Sequence, residues 1–172
     1  DYEVAGGVHL SVTDLEAITR TCSNIAHVKV EGMNHLKNIE EIISLTGGRV
    51  RVFGGMAGRY LLEELNLGTC GSIPGAEMAD LLVRIYEAEV GGDAKFARSI
   101  FNRLLPYLDF LIQHFDSFVA VEKEVLKIRG VIRNTAVREP SIPLDREALT
   151  ELGRLLLSMG LVSGSRNSQV DG

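Results

Sequence analysis

Short apolar runs alternate with amphipathic segments along the first part of the chain. Three runs rich in β-branched residues and bounded by glycine are typical of strands, near residues 25–31, 49–53 and 69–73. Residues 34–45 and 60–66 lie between them, and their apolar side chains recur at helical spacing. Strand–helix alternation with so short a period predicts parallel strands joined by helical crossovers.

From Glu77 the pattern is helical almost to the end of the chain. Breaks are predicted at glycine and proline positions, namely Gly91-Gly92, Pro106, Gly130 and residues 140–143. Ser11 with Asp14 three positions later predicts a capping box on the first helix, and Asp145 is predicted to cap the last one. The last helix is expected to carry one apolar stripe made of Leu149, Leu152, Leu156 and Met159.

These elements predict an α/β fold, the C-terminal portion of a (β/α)8 TIM barrel with a C-terminal helical extension. A closed barrel has eight strands and usually about 250 residues, and this chain supplies only three to four strands. The predicted organisation is barrel βα units over 1–76, the last barrel helix and helical extension over 77–162, and a mobile polar tail over 163–172. A small three-layer sheet is the alternative.

The composition narrows the class of protein. The 172 residues are 45% hydrophobic, with a formal net charge of −5 and a pI near 5.4. This acidic balance, few aromatic residues and no tryptophan argue against a nucleic-acid or anionic-membrane surface. The two cysteines have neither metal-ligand nor disulfide spacing, which suits a reducing cytoplasm. No apolar run approaches a membrane span of about 20 residues. A cytoplasmic protein with no metal site is therefore expected.

Lys29 and Glu31 lie two positions apart in the first predicted strand, so they share one face of it. A helical pattern follows the strand at once, which places both side chains at its carboxyl end. Barrel enzymes keep their catalytic groups there. The alternative is a solvated lysine–glutamate pair on a half-exposed strand.

A glycine turn follows the second predicted strand. Gly54 and Gly55, with Gly58, open a short helix, so the backbone amides there could receive an anion such as a substrate carboxylate. The alternative is that the glycines only permit a tight turn.

His27 shares the face of Lys29, deeper in the strand, and is interpreted as a core histidine. The remaining histidines show no ligand spacing.

Several motifs together resemble the C-terminal part of the dihydrodipicolinate synthase/N-acetylneuraminate lyase family of class I aldolases. The resemblance covers nearly all of residues 1–162. The matching segments are 7–11, 24–29, 53–55, 63–65, 67–75 and 130–140, including Gly130-Val131-Ile132-Arg133 and Ala136-Val137-Arg138-Glu139-Pro140.

The resemblance implies residue roles. It places Lys29 on the sixth barrel strand, where the family's lysine forms a Schiff base with a 2-oxo acid such as pyruvate. It places Ile73 on the eighth strand, where a backbone carbonyl lines the site, and residues 1–76 between the end of strand five and strand eight. It implies no cofactor, a small-molecule 2-oxo acid substrate, and a homodimer or homotetramer.

Positions at which this sequence differs from the synthases indicate which branch of the family it resembles most. The family's proton-relay tyrosine would stand before Asp1, and the arginine that holds the second substrate's carboxylate is replaced by Ala5. The segment Lys29-Val30-Glu31-Gly32 looks more like the branch that dehydrates 2-keto-3-deoxy sugar acids. A dehydratase or aldolase of such an acid is therefore expected. The alternatives are a 4-hydroxy-tetrahydrodipicolinate synthase-type pyruvate condensation and a non-catalytic fragment.

The expected chemistry pairs the two strand residues. A protonated imine on Lys29 would acidify the C3 proton of the substrate, and Glu31 is the acid/base group expected within reach. Lysine must be neutral to attack, and burial beside Val28 and Val30 is expected to favour that form.

The predicted half-barrel also leads to an expectation about whether residues 1–172 can fold alone. With one half absent, Val28, Val50 and Ile73 would meet water on the inner face and strand edges would be unpaired. We therefore expect about 130 residues upstream of Asp1, and no stable monomer from residues 1–172 alone.

Overall fold

The computed structural model describes residues 10–162, and the chain divides into one unit that reaches to Phe101 and a second that begins at Asn102. In chain order the elements are α1 (Val12–Thr21), β1 (His27–Lys29), α2 (His35–Thr46), β2 (Arg51–Phe53), a 3-10 turn (Met56–Gly58), α3 (Leu61–Asn66), α4 (Ala79–Val90), α5 (Ala94–Gln113), a second 3-10 turn (Phe115–Ser117), α6 (Phe118–Ile128) and α7 (Arg146–Ser158). The strand end predicted over 1–7 and the tail predicted over 163–172 lie outside the described residues.

The first unit contains parallel chain segments in the predicted order. In β1 and β2, His27 pairs with Arg51 and Lys29 with Phe53. On the other side of β2, the Cys70 amide donates to the Val52 carbonyl oxygen over 2.8 Å.

The third predicted strand, 69–73, is only partly formed. It is a single parallel bridge between Gly54 and Ser72, flanked by hydrogen bonds from the Gly54 amide to Gly71 and from the Ile73 amide to Gly54. Gly71 has a φ of 141°, and Pro74 has no N–H to donate, so the ladder ends after one step.

Alternation along the strands sorts the side chains between two faces. Val30 and Val52 pack with Ile39 and Ile42 of α2 in a buried cluster, and Val28 packs against its edge. Lys29 and Glu31 therefore project from the opposite face.

The expectation that Val50 would meet water is wrong, and Val28 is half-buried. Val28 contacts the α2 cluster, and Val50 is buried. Ile73 is exposed, as expected.

Both predicted helix caps are present. The Asp14 amide donates to Ser11 Oγ over 3.1 Å, and the Ser11 amide donates to Asp14 Oδ2 over 2.9 Å, which completes the capping box. The Ala148 amide donates to Asp145 Oδ1 over 2.8 Å at the start of α7. Each cap satisfies amides that have no partner within the helix.

The predicted helix break at Pro106 is wrong, because α5 continues through this residue. Proline removes the hydrogen bond to the carbonyl four residues earlier, here that of Asn102. Both residues are exposed, so water can replace the lost bond, while Leu104, Tyr107 and Leu108 on the other face are buried.

The predicted stripe on α7 is also partly wrong. Leu149 is exposed, whereas Leu152, Leu156 and Met159 are buried together with Ala148. Leu149 lies about 100° around the helix from Ala148, which already occupies the buried face.

No helix among residues 10–162 is both long enough and apolar enough to cross a membrane.

Candidate active site

Lys29 and Glu31 meet at the carboxyl end of β1. Lys29 Nζ lies 3.0 Å from Glu31 Oε2, and the two side chains are 35% and 19% exposed. The strand alternation that buries Val30 against α2 turns both polar side chains the other way. The Lys29 amine is thus held by a carboxylate and is not enclosed among Val28 and Val30, as the sequence led us to expect.

The second carboxylate oxygen of Glu31 is fixed by the turn after β2. The Met56 amide donates to Glu31 Oε1 over 2.7 Å. Met56 and Ala57 have φ values of 48° and 55°, in the left-handed region that residues with a Cβ adopt at a cost. A strained turn next to a candidate catalytic pair indicates that surrounding bonds hold the turn in place.

Glu64, on α3, anchors the same turn from the other side. It is completely buried, and its Oε1 accepts from the Gly55 amide over 3.3 Å. The Ser72 hydroxyl donates to the Gly55 carbonyl oxygen over 3.2 Å. Gly55 is therefore bonded through both of its backbone polar groups.

The glycine pair is needed because two carboxylates crowd it. A Cβ on Gly54 would lie 1.9 Å from the carboxyl carbon of Glu64, and a Cβ on Gly55 would lie 2.2 Å from Glu31 Cγ. The amides of the predicted anion-receiving turn bond two of the protein's own carboxyl groups, since the Gly55 amide donates to Glu64 and the Met56 amide donates to Glu31.

Burial governs the charge of Glu64. Burial is the main cause that raises the pKa of Glu64 to about 7, and the charges of Glu31 and Glu63 contribute to this shift. The Gly55 amide opposes the shift, and so does the nearby Ser72 hydroxyl, which also bonds the Gly55 carbonyl. Near neutral pH this carboxyl group is close to half protonated.

His35 is the buried neighbour of Glu64. Its Nε2 lies 3.6 Å from Glu64 Oε1, and its ring centroid lies 4.7 Å from that of Tyr60. Burial lowers the pKa of His35, although the Gly32 backbone and the Glu31 charge act in the opposite direction. The imidazole is therefore neutral at pH 7, and the contact is not an ion pair.

One other predicted site residue, Ile73, lies near this site. The Ile73 amide donates to the Gly54 carbonyl oxygen over 3.0 Å, which places Ile73 next to the glycine turn. Its role in lining the site stays a prediction, as do the roles assigned to Lys29, Glu31, Gly54 and Gly55.

The interpretation of His27 as a core residue is wrong. His27 is exposed, and its ring centroid lies 5.9 Å from that of Phe53. It shares the face of Lys29 and Glu31, which is opposite to the face that packs against α2.

The sequence did not single out the Glu64–His35 pair. Glu64 lies within a segment that matches the family, and His35 has no metal-ligand spacing to another histidine. A usable signal was present, because Glu64 falls one helical turn after Leu61 and so shares its buried face.

Comparison with known proteins shows which family and which solved structures this chain resembles. The model of the dihydrodipicolinate synthetase family matches residues 2–159. Dihydrodipicolinate synthase from Rhodopseudomonas palustris is 25% identical with a TM-score of 0.82, over 92% of this chain and 54% of that one. The synthase from Aquifex aeolicus is 23% identical with a TM-score of 0.81, over 93% of this chain and 54% of that one.

A third similar structure contains a ligand. It is YagE, a prophage protein of the dihydrodipicolinic acid synthase family from E. coli in complex with pyruvate, 24% identical with a TM-score of 0.80, covering 94% of this chain and 55% of that one. The present chain thus spans about half the length of these structures. No curated protein matches the sequence.

Proposed function

We propose that this chain, which belongs to the dihydrodipicolinate synthetase family, carries the Schiff-base lysine and the acid/base group of a lyase acting on 2-keto-3-deoxy sugar acids, as a dehydratase or aldolase. The family consists of class I aldolase-type lyases, and its solved members have the (β/α)8 barrel of which this chain forms the C-terminal part. The observation that carries the proposal is the 3.0 Å contact between Lys29 Nζ and Glu31 Oε2 at the end of β1.

In the proposed reaction, Glu31 first takes a proton from the Lys29 ammonium, which it contacts directly. The neutral amine attacks the C2 carbonyl of the 2-oxo acid, and the hydroxyl of the resulting carbinolamine leaves as water with the proton that Glu31 holds, which gives a protonated imine and a deprotonated Glu31. The short contact thus supplies a route to the neutral nucleophile that does not need a buried lysine.

The imine then withdraws electrons from C3. In the dehydratase route Glu31 removes the C3 proton, and the resulting enamine expels the C4 hydroxyl, which leaves as water with a proton from Glu31. In the aldolase route Glu31 takes the proton of the C4 hydroxyl, the C3–C4 bond breaks to give an aldehyde and the enamine of pyruvate, and Glu31 returns that proton to C3, which restores the imine. Hydrolysis of the imine releases the product and restores Lys29.

Two features of the sequence support the assignment to the sugar-acid branch of the family. Glu31 stands two positions after Lys29, and Ala5 cannot hold the carboxylate of a second substrate as the arginine of the synthases does. A small-molecule substrate and assembly as a homodimer or homotetramer belong to the same proposal.

A turnover assay on the full-length protein tests the proposal. We expect a 2-keto-3-deoxy sugar acid to lose one water or to release pyruvate, and Lys29→Ala to abolish this turnover. Lys37→Ala is the matched control, because that lysine is exposed and pairs with Glu41 on α2. Condensation of pyruvate with an aldehyde, without consumption of sugar acids, would favour the synthase-type alternative. Absence of turnover with any 2-oxo acid would favour a non-catalytic role.

A further inference from the structure

The glycine turn after β2 is bonded to two carboxylates through consecutive amides. The Gly55 amide donates to Glu64 and the Met56 amide donates to Glu31. Glu64 therefore connects to Glu31 through one residue of backbone. A shift of Gly55 toward or away from α3 must move the Met56 amide, and with it the oxygen of Glu31 that this amide fixes.

The turn does not hold this shape by itself. Met56 and Ala57 both adopt the left-handed region, which residues with a Cβ occupy only when the surroundings require it. The restraints on Gly55 are the hydrogen bonds from its amide to Glu64 and from Ser72 to its carbonyl. Removal of the Glu64 carboxyl group would leave a buried amide without an acceptor.

The buried surroundings of Glu64 fix its carboxyl group. His35 lies 3.6 Å away at the start of α2, and a Cβ added at Gly54 would lie 1.9 Å from the carboxyl carbon of Glu64. Within residues 10–162, Glu64 Oε2 and His35 Nε2 have no hydrogen-bond partner. The charged and polar groups that face Glu64 are Glu31, Glu63, His35 and Ser72. A buried, costly carboxyl group directed at an active-site turn requires a reason beyond packing.

We propose that Glu64 is a positioning residue, which holds the Gly54–Met56 turn so that the Met56 amide keeps Glu31 against Lys29. This inference rests on the proposed function, since it assigns Glu64 to the same reaction. Glu64 acts through Glu31 and touches no reacting atom.

A double-mutant cycle in the full-length protein tests the route of action. Glu64→Ala should lower kcat about 10²-fold, the cost of a small misplacement of a catalytic group, while borohydride still traps the imine. In a Glu31→Gln background the same change should lower kcat less than about threefold, because the residue through which Glu64 acts is already disabled. Equal losses in both backgrounds would overturn the proposal, as would an unchanged kcat in Glu64→Ala.

Two further variants separate positioning from folding. Glu64→Gln keeps an acceptor for the Gly55 amide and should restore most of kcat below pH 7. It should also remove any inflection of kcat near pH 7 that the wild type shows, because the amide does not titrate. Glu63→Ala is the neighbouring control on α3, half-exposed and paired with Arg98, and should leave kcat unchanged. Failure of Glu64→Gln to restore kcat would contradict the positioning role.

Hydrogen exchange gives a readout that does not depend on turnover. The amides of residues 54–58 should exchange faster in Glu64→Ala than in the wild type, and at wild-type rates in Glu64→Gln and Glu63→Ala. Unchanged exchange in Glu64→Ala would overturn the positioning role even if the lyase assignment holds. If sugar acids are not turned over but exchange increases as expected, the lyase assignment fails while the anchoring of the turn stands.

Discussion

The two oxygens of Glu31 have different partners, and this division gives the residue its proposed role. Oε1 accepts from the Met56 amide, and Oε2 contacts the Lys29 ammonium. The first contact fixes the carboxylate, and the second places a proton acceptor beside the proposed nucleophile. One side chain is thus both oriented by the backbone and available for proton transfer.

Glu31→Gln separates these two contacts. The amide oxygen of Gln still accepts from Met56, but the side chain no longer takes up a proton. We expect imine trapping to survive and turnover to fall by about 10²–10⁴-fold, the range for a lost general acid or base. Glu41→Gln, on the exposed face of α2, is the control. Unchanged turnover in Glu31→Gln would make the carboxylate structural and would revive the synthase-type alternative.

Glu64 predicts a pH dependence of stability. Because its pKa is raised from 4.5 to about 7 in the folded protein, the folded state holds this proton more tightly than the unfolded state. The stabilisation is complete below pH 4.5 and is lost as the pH rises through 7, by about 3 kcal/mol. Urea denaturation of the full-length protein at pH 5 and pH 8 should show this loss in the wild type and not in Glu64→Gln. An equal loss in both proteins would assign it to other groups.

The sequence predicted one part of this site and not the other. Alternation along a strand is a local property, so it places Lys29 and Glu31 on one face whatever surrounds them. The burial of Glu64 is not local, because it depends on α3 lying against a turn nine residues earlier in the chain. A glutamate on a short helix is usually solvated, so its place one helical turn after Leu61 is only a weak signal of burial.

At the scale of elements, the glycine turn joins β2, α3 and the segment after β1 into one site. The predicted strands and helices are present because their apolar spacing is strong, and both caps follow from local chemistry. The third strand is shortened and Pro106 lies inside a helix. Apolar spacing reveals neither difference. The third strand ends early because Gly71 and Pro74 interrupt its hydrogen bonds, and α5 continues through Pro106 because the lost hydrogen bond lies on an exposed face.

Substitution of the glycines tests the turn. Gly54→Ala places a methyl group against the Glu64 carboxyl, and Gly55→Ala places one against Glu31. Each should lower the free energy of unfolding by about 1–3 kcal/mol, as overpacking does, and should also lower turnover. Gly153→Ala is the control, since nothing lies within 4 Å of its added Cβ inside α7, and it should stabilise by about 0.5–1 kcal/mol. Urea denaturation of the full-length variants measures both effects, and tolerance of alanine at 54 and 55 would show that the turn is not crowded.

At the scale of the whole molecule, the chain spans about half the length of the barrels that it matches. Among the described residues the sheet consists of β1 and β2 with one bridge to Ser72. An open cleft of about 270 Å³ lies beside that bridge, and Phe53, Cys70 and Tyr86 are among its lining residues. Sheet edges and apolar clefts of this kind require a covering element.

We therefore expect the 172-residue chain, purified alone, not to behave as a stable monomer. Size-exclusion chromatography should show association or aggregation, and thermal melting should lack a single cooperative transition. The full-length protein is the control and should melt cooperatively. A soluble monomer of the isolated chain with a sharp melting transition would contradict the half-barrel account.

The most direct test of the central claim is to identify the residue that forms the imine. The full-length protein is reduced with borohydride in the presence of pyruvate or a 2-keto-3-deoxy sugar acid, and the modified peptide is mapped by mass spectrometry. The account predicts modification of Lys29 alone, no modification in Lys29→Ala and unchanged modification in Lys37→Ala. Modification of Lys37, or of any lysine other than Lys29, would contradict the account.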